Sequence, residues 1–493
     1  MKKTKLKTLT ISLLFIFSIP IWLNVDLLPI RIWDESRNAV NAIEMYQSGD
    51  FLVRTFNKSP ETYELKPPLL IWLQVGCLHW FGLNELAIRF PSVFFSVMSL
   101  LLVFIITYSS TKSYWSSAFA MGITATSFGF FGDHVGRFGD HDATLVFFIL
   151  LLAYSTHQFM KTEKASYLYL MGGSLMFGVL CKSIAIFMLA PGLLVALLLN
   201  KKVVLFLSNK HFYTSIFTVT FIVSSYYYLR ELRQPGYLNL VWQGELFPRY
   251  INQSSSFVFE EYTFWYYFEL LFNNQMRCWA WMVSVVVAVP FWGNWQFKGW
   301  VFWLIQSLSF LLIISLGTKN FWYVAPAIPM LAILFAISLY LLANRLKVNY
   351  KWASLLVFLL LAVPYNNAFL YAINTSEKHY EWETNGISHY LKDEQNIKNL
   401  SPNTKILLDR AHGLEPHLFY LKKLDIEHGL SISRINWQEL NPGDTLLISH
   451  LSTYSELKDK YAISVLDSSY KHTKLLTIKL PAKQVAQTNR TIY

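Results

Sequence analysis

The chain has 493 residues, of which 54% are hydrophobic and only 15% are charged, whereas about a quarter of the residues in soluble domains are charged. The net charge of +11 does not indicate nucleic-acid binding, because the basic residues stand at the ends of apolar runs and form no single stripe. The cysteines, Cys77, Cys181 and Cys278, are far apart and predict neither a disulfide framework nor a metal cluster. This composition predicts an integral membrane protein.

Apolar runs close to the ~20 residues that a membrane helix needs recur along most of the chain. The first follows the basic segment 1–7, and because no small-x-small cleavage site follows it, we expect an uncleaved helix rather than a signal peptide. We predict eleven spans, at about 8–25, 89–109, 114–132, 142–160, 166–181, 183–200, 212–229, 277–292, 300–316, 321–343 and 352–371.

Lysine and arginine residues mark one side of these spans. They occur in short segments that are nearly free of acidic residues, namely at Lys2, Lys3, Lys5, Lys7, Lys112, Lys161, Lys164, Lys201, Lys202, Lys210, Lys298, Arg345, Lys347 and Lys351. The positive-inside rule predicts that this side is cytoplasmic. The N-terminus is then cytoplasmic, and the loops at about 26–88 and 230–276 and the tail lie on the outer face, which we predict to be the periplasmic face of a bacterial inner membrane.

The tail differs from the rest in composition. Short apolar runs at 405–409 and 444–449 and the turn signal at 441–444 predict a small soluble α/β domain. The expected domains are therefore a transmembrane domain over 1–372 and a periplasmic domain over 373–493.

The first outer loop carries candidate catalytic residues. The segment 33–37 begins a helical pattern that should stop at Gly49, and Leu69 to Phe81 reads as a second helix lying at the membrane interface. Asp34 could simply cap the first helix, with Glu35 as a first-turn acid. Lys66 could be a snorkelling surface lysine, although the two prolines that follow hold the chain extended and orient it.

Two other outer segments concentrate polar residues at the membrane edge, where ionisable groups are costly unless they are used or solvated. The segment 131–142 contains three acids, two histidines and an arginine. His134, Asp140 and His141 leave a metal site open as an alternative, although no metal-ligand spacing is met. In 317–326, Lys319 should lie near the plane of a phosphate headgroup; the alternative is an interfacial anchor.

These segments together resemble one family, in their order, spacing and shared outer placement. The resemblance rests on Asp34-Glu35 with Arg37, then Lys66-Pro-Pro68 and Glu85 to Pro91, then Arg137 with Asp142 to Leu145, Gly178 to Lys182, and Lys319 with Tyr323 and Pro326. Over about 26–330 the chain is similar to the dolichyl-phosphate-mannose protein mannosyltransferase-like glycosyltransferases, whose bacterial branch includes the lipid A aminoarabinose transferases.

The resemblance implies the polytopic all-α GT-C fold and a set of site residues. The catalytic carboxylate corresponds to Asp34, with Glu35 adjacent, and the second acid to Asp142, with Asp140 as a rival. The donor phosphate would be held by Lys66, with Arg37, Arg137 and Lys319 as further candidates, and the pocket would include Tyr63, Glu64, Asp140 and Tyr323. Leu65 stands where the aminoarabinose transferases have a glutamate, so the resemblance does not identify the substrate branch.

The implied reaction is sugar transfer from a polyprenyl-phosphate donor to a lipid, glycan or protein acceptor. A carboxylate can deprotonate the acceptor hydroxyl, and fixed cations can stabilise the leaving phosphate. A lipid-phosphate donor agrees with the lack of a nucleotide-binding motif in the sequence. The sequence identifies no cofactor, and a divalent metal ion stays open. The rival functions are a transporter or flippase of lipid-linked sugars, which the one-sided clustering of charges disfavours, and a non-catalytic scaffold.

The outer loop at 230–276 is rich in aromatic residues, which suit sugar stacking, lipid contact or an interfacial belt. They are Trp242, Tyr250, Tyr262, Trp265, Tyr266 and Tyr267. We interpret it as a loop that could close over the donor.

Overall fold

The computed structural model describes residues 3–132, 134–246, 263–292, 298–375, 381–407, 416–470 and 473–481. Tyr250 and Tyr262 of the aromatic loop lie outside these ranges. The described part is mainly helical and is followed by a small sheet domain.

The helices of the N-terminal part run in chain order from the first predicted span to the end of the last. They are α1 (Lys3–Trp22), α2 (Asp34–Ser48), α3 (Leu69–Phe81), α4 (Glu85–Thr111), α5 (Tyr114–Thr126), α6 (Phe128–Phe131), α7 (Asp142–Thr162), α8 (Ala165–Lys182), α9 (Ala190–Leu199), α10 (Val203–Leu207), α11 (Lys210–Arg233), α12 (Tyr237–Val241), α13 (Tyr266–Leu270), α14 (Met282–Ala288), α15 (Lys298–Ser315), α16 (Ala327–Arg345) and α17 (Tyr350–Ile373). A short hairpin, β1 (Thr55–Phe56) with β2 (Ser59–Pro60), lies in the first loop.

Every predicted span overlaps a helix, and the chain is a multi-pass membrane protein. Five helical segments of the described residues are long and apolar enough to cross a membrane, namely Glu85–Thr111, Asp142–Thr162, Ala165–Leu199, Phe321–Arg345 and Tyr350–Ile373. The remaining predicted spans are shorter or more polar helices. The span predicted at 114–132, for example, is divided at Ser127, whose extended backbone ends α5.

The predicted spans 166–181 and 183–200 are two helices joined by the 3-10 helix Ser183–Leu189. The break occurs at Ser183, whose φ of 51° lies in the left-handed region, which a non-glycine residue seldom adopts. The predicted boundary between these two spans therefore coincides with the residue at which the backbone turns.

The C-terminal part forms the predicted α/β domain. Its helices are α18 (Glu381–Lys392), α19 (Glu394–Ile397), α20 (His417–His428) and α21 (Leu451–Lys460), and its strands are β3 (Thr404–Leu407), β4 (Ser433–Ile435), β5 (Thr445–Ile448), β6 (Tyr461–Tyr470) and β7 (Thr473–Pro481). The sheet order is β4-β3-β5-β7-β6, with β3 parallel to both β4 and β5 and the remaining pairs antiparallel.

The sheet domain does not stand apart from the membrane part. Ala39 and Ile43 of α2 share one hydrophobic core with Leu418 and Phe419 of α20. The Tyr420 hydroxyl donates to Glu85 Oε1 at 2.6 Å and accepts from the Ile30 backbone N–H at 2.9 Å. The first loop is therefore held between the bundle and the sheet domain.

Both helices that the sequence predicts in the first loop are present. The helix α2 ends at Gly49, whose φ of 67° a residue with a side chain seldom adopts. The helix α3 begins directly after Pro68. The positions of their first residues decide where Asp34 and Lys66 lie.

Candidate active site

Asp34 is the first residue of α2 and is half-buried. The preceding residue, Trp33, has φ 69° and ψ −131°, an unfavourable conformation for a bulky side chain. Such backbone strain concentrates at functional sites, where the surrounding structure maintains it. The helix start that carries Asp34 is therefore fixed by its surroundings and not by a side-chain cap, because no cap hydrogen bond is made there.

Asp34 lies beside His134 and Asp140, which belong to the loop between α6 and α7. One potential ligand atom from each of the three lies within 4.8 Å of the others. His134 Nδ1 is 3.3 Å from Asp140 Oδ2, and Asp140 Oδ1 accepts from the His141 backbone N–H at 2.6 Å. We call Asp34, His134 and Asp140 the acid cluster.

The acid cluster is the group of described residues that could hold a metal ion. Two carboxylates and an imidazole are a donor set that transition metals accept. The metal site considered from the sequence consists of His134, Asp140 and His141. In the structure the third potential ligand is Asp34 and not His141. The His141 imidazole makes no hydrogen bond with the described residues.

Lys66 is buried and forms an ion pair with Glu64, whose Oε2 lies 2.7 Å from Nζ. Burial by itself would lower the pKa of Lys66. The attraction of the ammonium to Glu64, Asp34 and Glu245 outweighs this effect and raises the pKa. Although burial acts in the other direction, Lys66 lowers the pKa of Glu64 to about 2. Lys66 is therefore a permanent cation close to Asp34.

The surroundings shift the pKa values of the two carboxylates of the acid cluster in opposite directions. Burial and the neighbouring charge of Asp140 raise the pKa of Asp34. Burial alone would also raise the pKa of Asp140, but its hydrogen bond with His134 and the charge of Lys66 lower it. Groups whose pKa values are separated in this way suit different roles in proton transfer.

A second ion pair joins the first residue of α7 to the last residue of α8. Lys182 Nζ donates to Asp142 Oδ1 at 2.8 Å and to Oδ2 at 2.6 Å. This pair borders a cavity of about 220 Å³, which Tyr323 and Glu245 also line. The other walls are mainly apolar and come from α7, from the 3-10 helix Ser183–Leu189 and from the end of α15: Leu145, Ile149, Ile184, Ala185, Met188, Phe310, Ile313, Ile314 and Leu316. We call this space the apolar cavity.

Glu35 is bound by groups outside the acid cluster. Its carboxylate accepts two hydrogen bonds from Arg89, at 2.7 and 2.8 Å, and one each from the backbone N–H groups of Arg31 and Gly139, both at 2.8 Å. Although burial acts in the opposite direction, Arg89 lowers the pKa of Glu35. With four donors on two oxygens, Glu35 connects α2 to α4 and to the loop that carries Asp140.

Three of the predicted phosphate ligands are also engaged elsewhere. Arg37 forms a bidentate ion pair with Glu61, at 2.7 and 2.6 Å. Arg137 donates to the backbone oxygens of Pro20 and Leu23 at the end of α1, at 2.8 and 2.7 Å. Lys319 Nζ donates to the backbone oxygens of Ser315 and Gly317, at 2.6 and 2.8 Å. Of the four predicted cations, Lys66 is therefore the one that faces the acid cluster.

Of the four predicted pocket residues, three lie at the candidate site and one lies elsewhere. Glu64 and Asp140 are buried among the charged groups, and Tyr323 lies at the apolar cavity, where its ring is 5.0 Å from Lys182 Nζ. Tyr63 is 61% exposed and covers the Arg37 guanidinium, which lies 4.7 Å from its ring centroid. Tyr63 therefore belongs to the Arg37–Glu61 pair.

The structure adds three groups that the sequence does not single out as site residues. Arg54 is buried, donates through Nη2 to the Glu64 backbone oxygen, and has an Nη1 atom without a hydrogen-bond partner among the described residues. Lys182 and Glu245 border the apolar cavity. For Lys182 a signal existed, because a lysine between two predicted membrane segments is costly unless it is paired; Arg54 and Glu245 stand in polar segments that carry no such signal.

Several buried polar atoms near Lys66 make no hydrogen bond with the described residues. They are Glu64 Oε1, Arg54 Nη1, and both ring nitrogens of His141. Burial and the charge of Lys66 lower the pKa of His141 to about 3, so its imidazole is neutral at neutral pH. Buried groups of this kind are normally satisfied by a partner, water or ligand, and these atoms are therefore available to a polar substrate.

Comparisons with known proteins identify the kind of chain that carries this site. Residues 65–228 match the family model of dolichyl-phosphate-mannose-protein mannosyltransferases. A protein of unknown function from Aquifex aeolicus is 26% identical over 322 residues, which are 62% of this chain and 59% of that protein. The chain thus matches less than two thirds of the length of that relative.

Solved structures extend the likeness to the whole chain. ArnT from Cupriavidus metallidurans in the apo state superimposes with a TM-score of 0.66 at 14% identity, over 97% of this chain and 98% of that one. The same protein bound to undecaprenyl phosphate gives 0.66 at 15% identity, over 96% and 98% of the two chains. The oligosaccharyltransferase of Archaeoglobus fulgidus gives 0.51 at 12% identity, over 87% and 65%. The resemblance that the sequence predicts is confirmed, and the chain is a polytopic membrane protein with the fold of the GT-C glycosyltransferases.

Proposed function

We propose that the chain transfers a sugar from a polyprenyl-phosphate donor to a hydroxyl group of a lipid, glycan or protein acceptor. The observation that carries the proposal is the juxtaposition of Asp34, a carboxylate of raised pKa, with the buried cation Lys66, beside the apolar cavity. Glu245 links the two regions, because it lines the cavity and acts electrostatically on Lys66. A lipid-linked phosphosugar requires such a combination of an apolar channel, a cation and a base.

In this proposal the prenyl chain occupies the apolar cavity, and the phosphate lies within reach of Lys66 and of the Arg54 Nη1 atom. The relative of this fold that was solved with undecaprenyl phosphate supports a prenyl phosphate as ligand. Fixed cations that are already buried stabilise the charge that develops on the leaving phosphate without reorganising. The Lys182–Asp142 pair at the mouth of the cavity would orient the phosphate end of the lipid.

Asp34 then acts as the general base. It accepts the proton of the acceptor hydroxyl while the hydroxyl oxygen forms a bond to the anomeric carbon and the bond from that carbon to the phosphate oxygen breaks. One such displacement inverts the anomeric centre and releases the polyprenyl phosphate. A positioned base contributes ~10²–10⁴-fold to the rate, and a raised pKa makes Asp34 a stronger base than an ordinary aspartate.

A metal ion bound to the acid cluster would support the same reaction. Asp34, His134 and Asp140 would hold it, and it would supply positive charge beside the phosphate. Lys66 and Arg54 would hold the phosphate in either case, whereas Asp34 would then be a ligand of the ion, so its role as the base belongs to the metal-free site.

The variant Asp34→Asn tests the base. We expect it to bind the polyprenyl-phosphate sugar as the wild type does and to lose ~10²-fold or more of its turnover, measured as radiolabelled sugar transfer in membranes that contain the protein. Asp26→Asn is the matched control, because Asp26 is an exposed aspartate of the same loop. Turnover of Asp34→Asn equal to that of Asp26→Asn would rule out Asp34 as the base.

A further inference from the structure

A second cavity lies at the end of the helical bundle opposite to the acid cluster. It has a volume of about 420 Å³ and is lined by Ser110, His157, Met160, Lys161, Asn200, Lys202, Gly299 and Phe302. Asp142 and Lys161 are near opposite ends of α7, and nineteen residues of helix separate them by about 28 Å. This basic cavity is therefore distinct from the candidate active site.

The walls of the basic cavity supply positive charge and hydrogen-bond donors. Lys161 and Lys202 contribute ammonium groups, and none of the described lining residues is acidic. Ser110 Oγ is buried without a hydrogen-bond partner among the described residues. Gly299 is the second residue of α15, so the positive end of that helix faces the same space. These groups together suit an anion that accepts several hydrogen bonds.

One acidic residue stands next to the basic cavity. Glu163 Oε1 is 2.9 Å from Lys202 Nζ, and the two side chains are 55% and 34% exposed. An exposed ion pair of this kind contributes little free energy. A phosphate group, with its higher charge density, can therefore displace Glu163 from Lys202.

The apolar part of the basic cavity consists of Met160, Phe302 and the ring of His157, which stacks on Phe302 with centroids 4.6 Å apart. The volume falls in the range of roughly 300–1,000 Å³ that small-molecule sites have. A polar, cationic rim above an apolar wall resembles the surroundings of a lipid headgroup, and basic pockets between membrane helices bind anionic headgroups.

We propose that the basic cavity binds a phosphate group, carried either by an anionic membrane lipid or by a free phosphate ester. Lys161 and Lys202 pair with the phosphate oxygens, and Ser110, Asn200 and the Gly299 backbone N–H complete the site. The ordinary alternative is that Lys161 only neutralises the carbonyl end of α7, which requires no ligand.

Native mass spectrometry of the purified full-length chain tests the proposal, with phosphatidylglycerol, phosphatidylcholine and inorganic phosphate as separate probes. We expect retention of phosphatidylglycerol in preference to phosphatidylcholine. The double variant Lys161→Ala/Lys202→Ala should bind phosphatidylglycerol about 30-fold more weakly, because each lysine contributes roughly 1 kcal/mol next to an anionic lipid. The matched control is Lys164→Ala/Lys210→Ala, which removes the same charge from the same face outside the cavity.

The probes distinguish the two sources of phosphate. Retained phosphatidylglycerol that inorganic phosphate does not displace identifies a lipid headgroup, and saturable binding of inorganic phosphate alone identifies a free phosphate ester. Equal binding of the retained anionic probe by the two double variants, or a wild-type chain that binds neither anionic probe above phosphatidylcholine, would overturn the proposal. Loss of thermal stability in Lys161→Ala/Lys202→Ala without a change in lipid retention would leave only the helix-end role.

Discussion

Ion pairing divides the charged residues of the first loop into two groups. Glu35 and Arg37 each form a bidentate ion pair with a buried partner, Arg89 and Glu61 respectively. Asp34, by contrast, faces Lys66, and its raised pKa reflects burial beside a second acid. Two adjacent acids on one helix turn thereby differ in their surroundings, since Glu35 joins structural elements and Asp34 belongs to the acid cluster.

Arg54 is the cation of the candidate active site that has a free donor. Because Nη1 is buried without a partner among the described residues, a phosphate oxygen that binds there gains a charged hydrogen bond, worth about 1.5–3 kcal/mol. We predict that Arg54→Gln weakens donor binding by about 10- to 100-fold, measured as the Kd for a polyprenyl phosphate.

Arg37→Gln is the comparison for this prediction. Its guanidinium is already bound by Glu61, so we expect lower thermal stability with little change in donor affinity. Equal donor affinities for Arg54→Gln and Arg37→Gln would contradict the role of Arg54.

At the residue scale the sequence identifies which groups are unusual, but not how they pair. Asp34, Lys66 and Asp140 stand out because they are ionisable residues at the edges of apolar segments. Glu61 lies 24 positions after Arg37, and Arg89 lies 54 positions after Glu35. The sequence alone shows these four residues as charged but does not show which pairs they form. The pairs are determined by the packing of α2, α4 and the hairpin.

At the scale of elements, small residues allow α8 and α11 to pack closely. A Cβ atom at Gly172 of α8 would lie 1.9 Å from Ser215 Oγ of α11, and that hydroxyl donates to the Leu168 backbone oxygen at 2.9 Å. A Cβ atom at the adjacent Gly173 would have no atom within 4 Å. Small residues at helix contacts allow such packing in membranes.

These two glycines provide a matched pair of variants. We predict that Gly172→Leu destabilises the folded protein by about 1–3 kcal/mol, the usual effect of overpacking, because α8 and α11 must separate. Gly173→Leu should change stability little, since its side chain enters open space. Thermal unfolding in detergent, followed by tryptophan fluorescence, measures both. Equal melting temperatures for the two variants would contradict this packing.

A second contact between elements joins the sheet domain to α2. Lys422 Nζ of α20 lies 2.5 Å from Glu44 Oε1, and both side chains are mostly buried. Removing one member of a buried pair leaves the other charge unpaired, at a cost of about 3–5 kcal/mol. We predict that Lys422→Met and Glu44→Gln each lower the thermal stability of the full chain.

The double variant Lys422→Met/Glu44→Gln is the control for this contact. It should recover part of the lost stability, because no charge is then left unpaired. Strictly additive losses in a double-mutant cycle would show that the two side chains do not interact.

The ends of the first-loop helices are local features, and the sequence predicts them. Gly49 stops α2 through its own positive φ, and Pro68 directly precedes α3. The length of the continuous helices is less predictable. Hydropathy marks 114–132 as one apolar run, yet Ser127 interrupts it through its backbone conformation, which hydropathy does not report.

Considered as a whole, the molecule places its charged groups at two ends of one helical bundle. The acid cluster lies at the beginning of α7, and the basic cavity lies at its end. The sheet domain packs on α2 at the first of these ends. The sequence predicts an α/β tail but not this contact, because the apolar residues of α20 that meet α2 look like ordinary core residues of a small domain.

This arrangement predicts the topology in the cell. If the basic ends are cytoplasmic, the sheet domain and the acid cluster face the periplasm. In a chain whose native cysteines are replaced by serine, Ser452→Cys in α21 and Lys164→Cys before α8 both introduce exposed thiols. A membrane-impermeant maleimide added to spheroplasts should label Ser452→Cys at once and Lys164→Cys only after permeabilisation. The reverse pattern would place the acid cluster in the cytoplasm, where an outward-facing lipid-linked donor could not reach Asp34, and the proposed reaction would then have to draw on a donor in the inner leaflet.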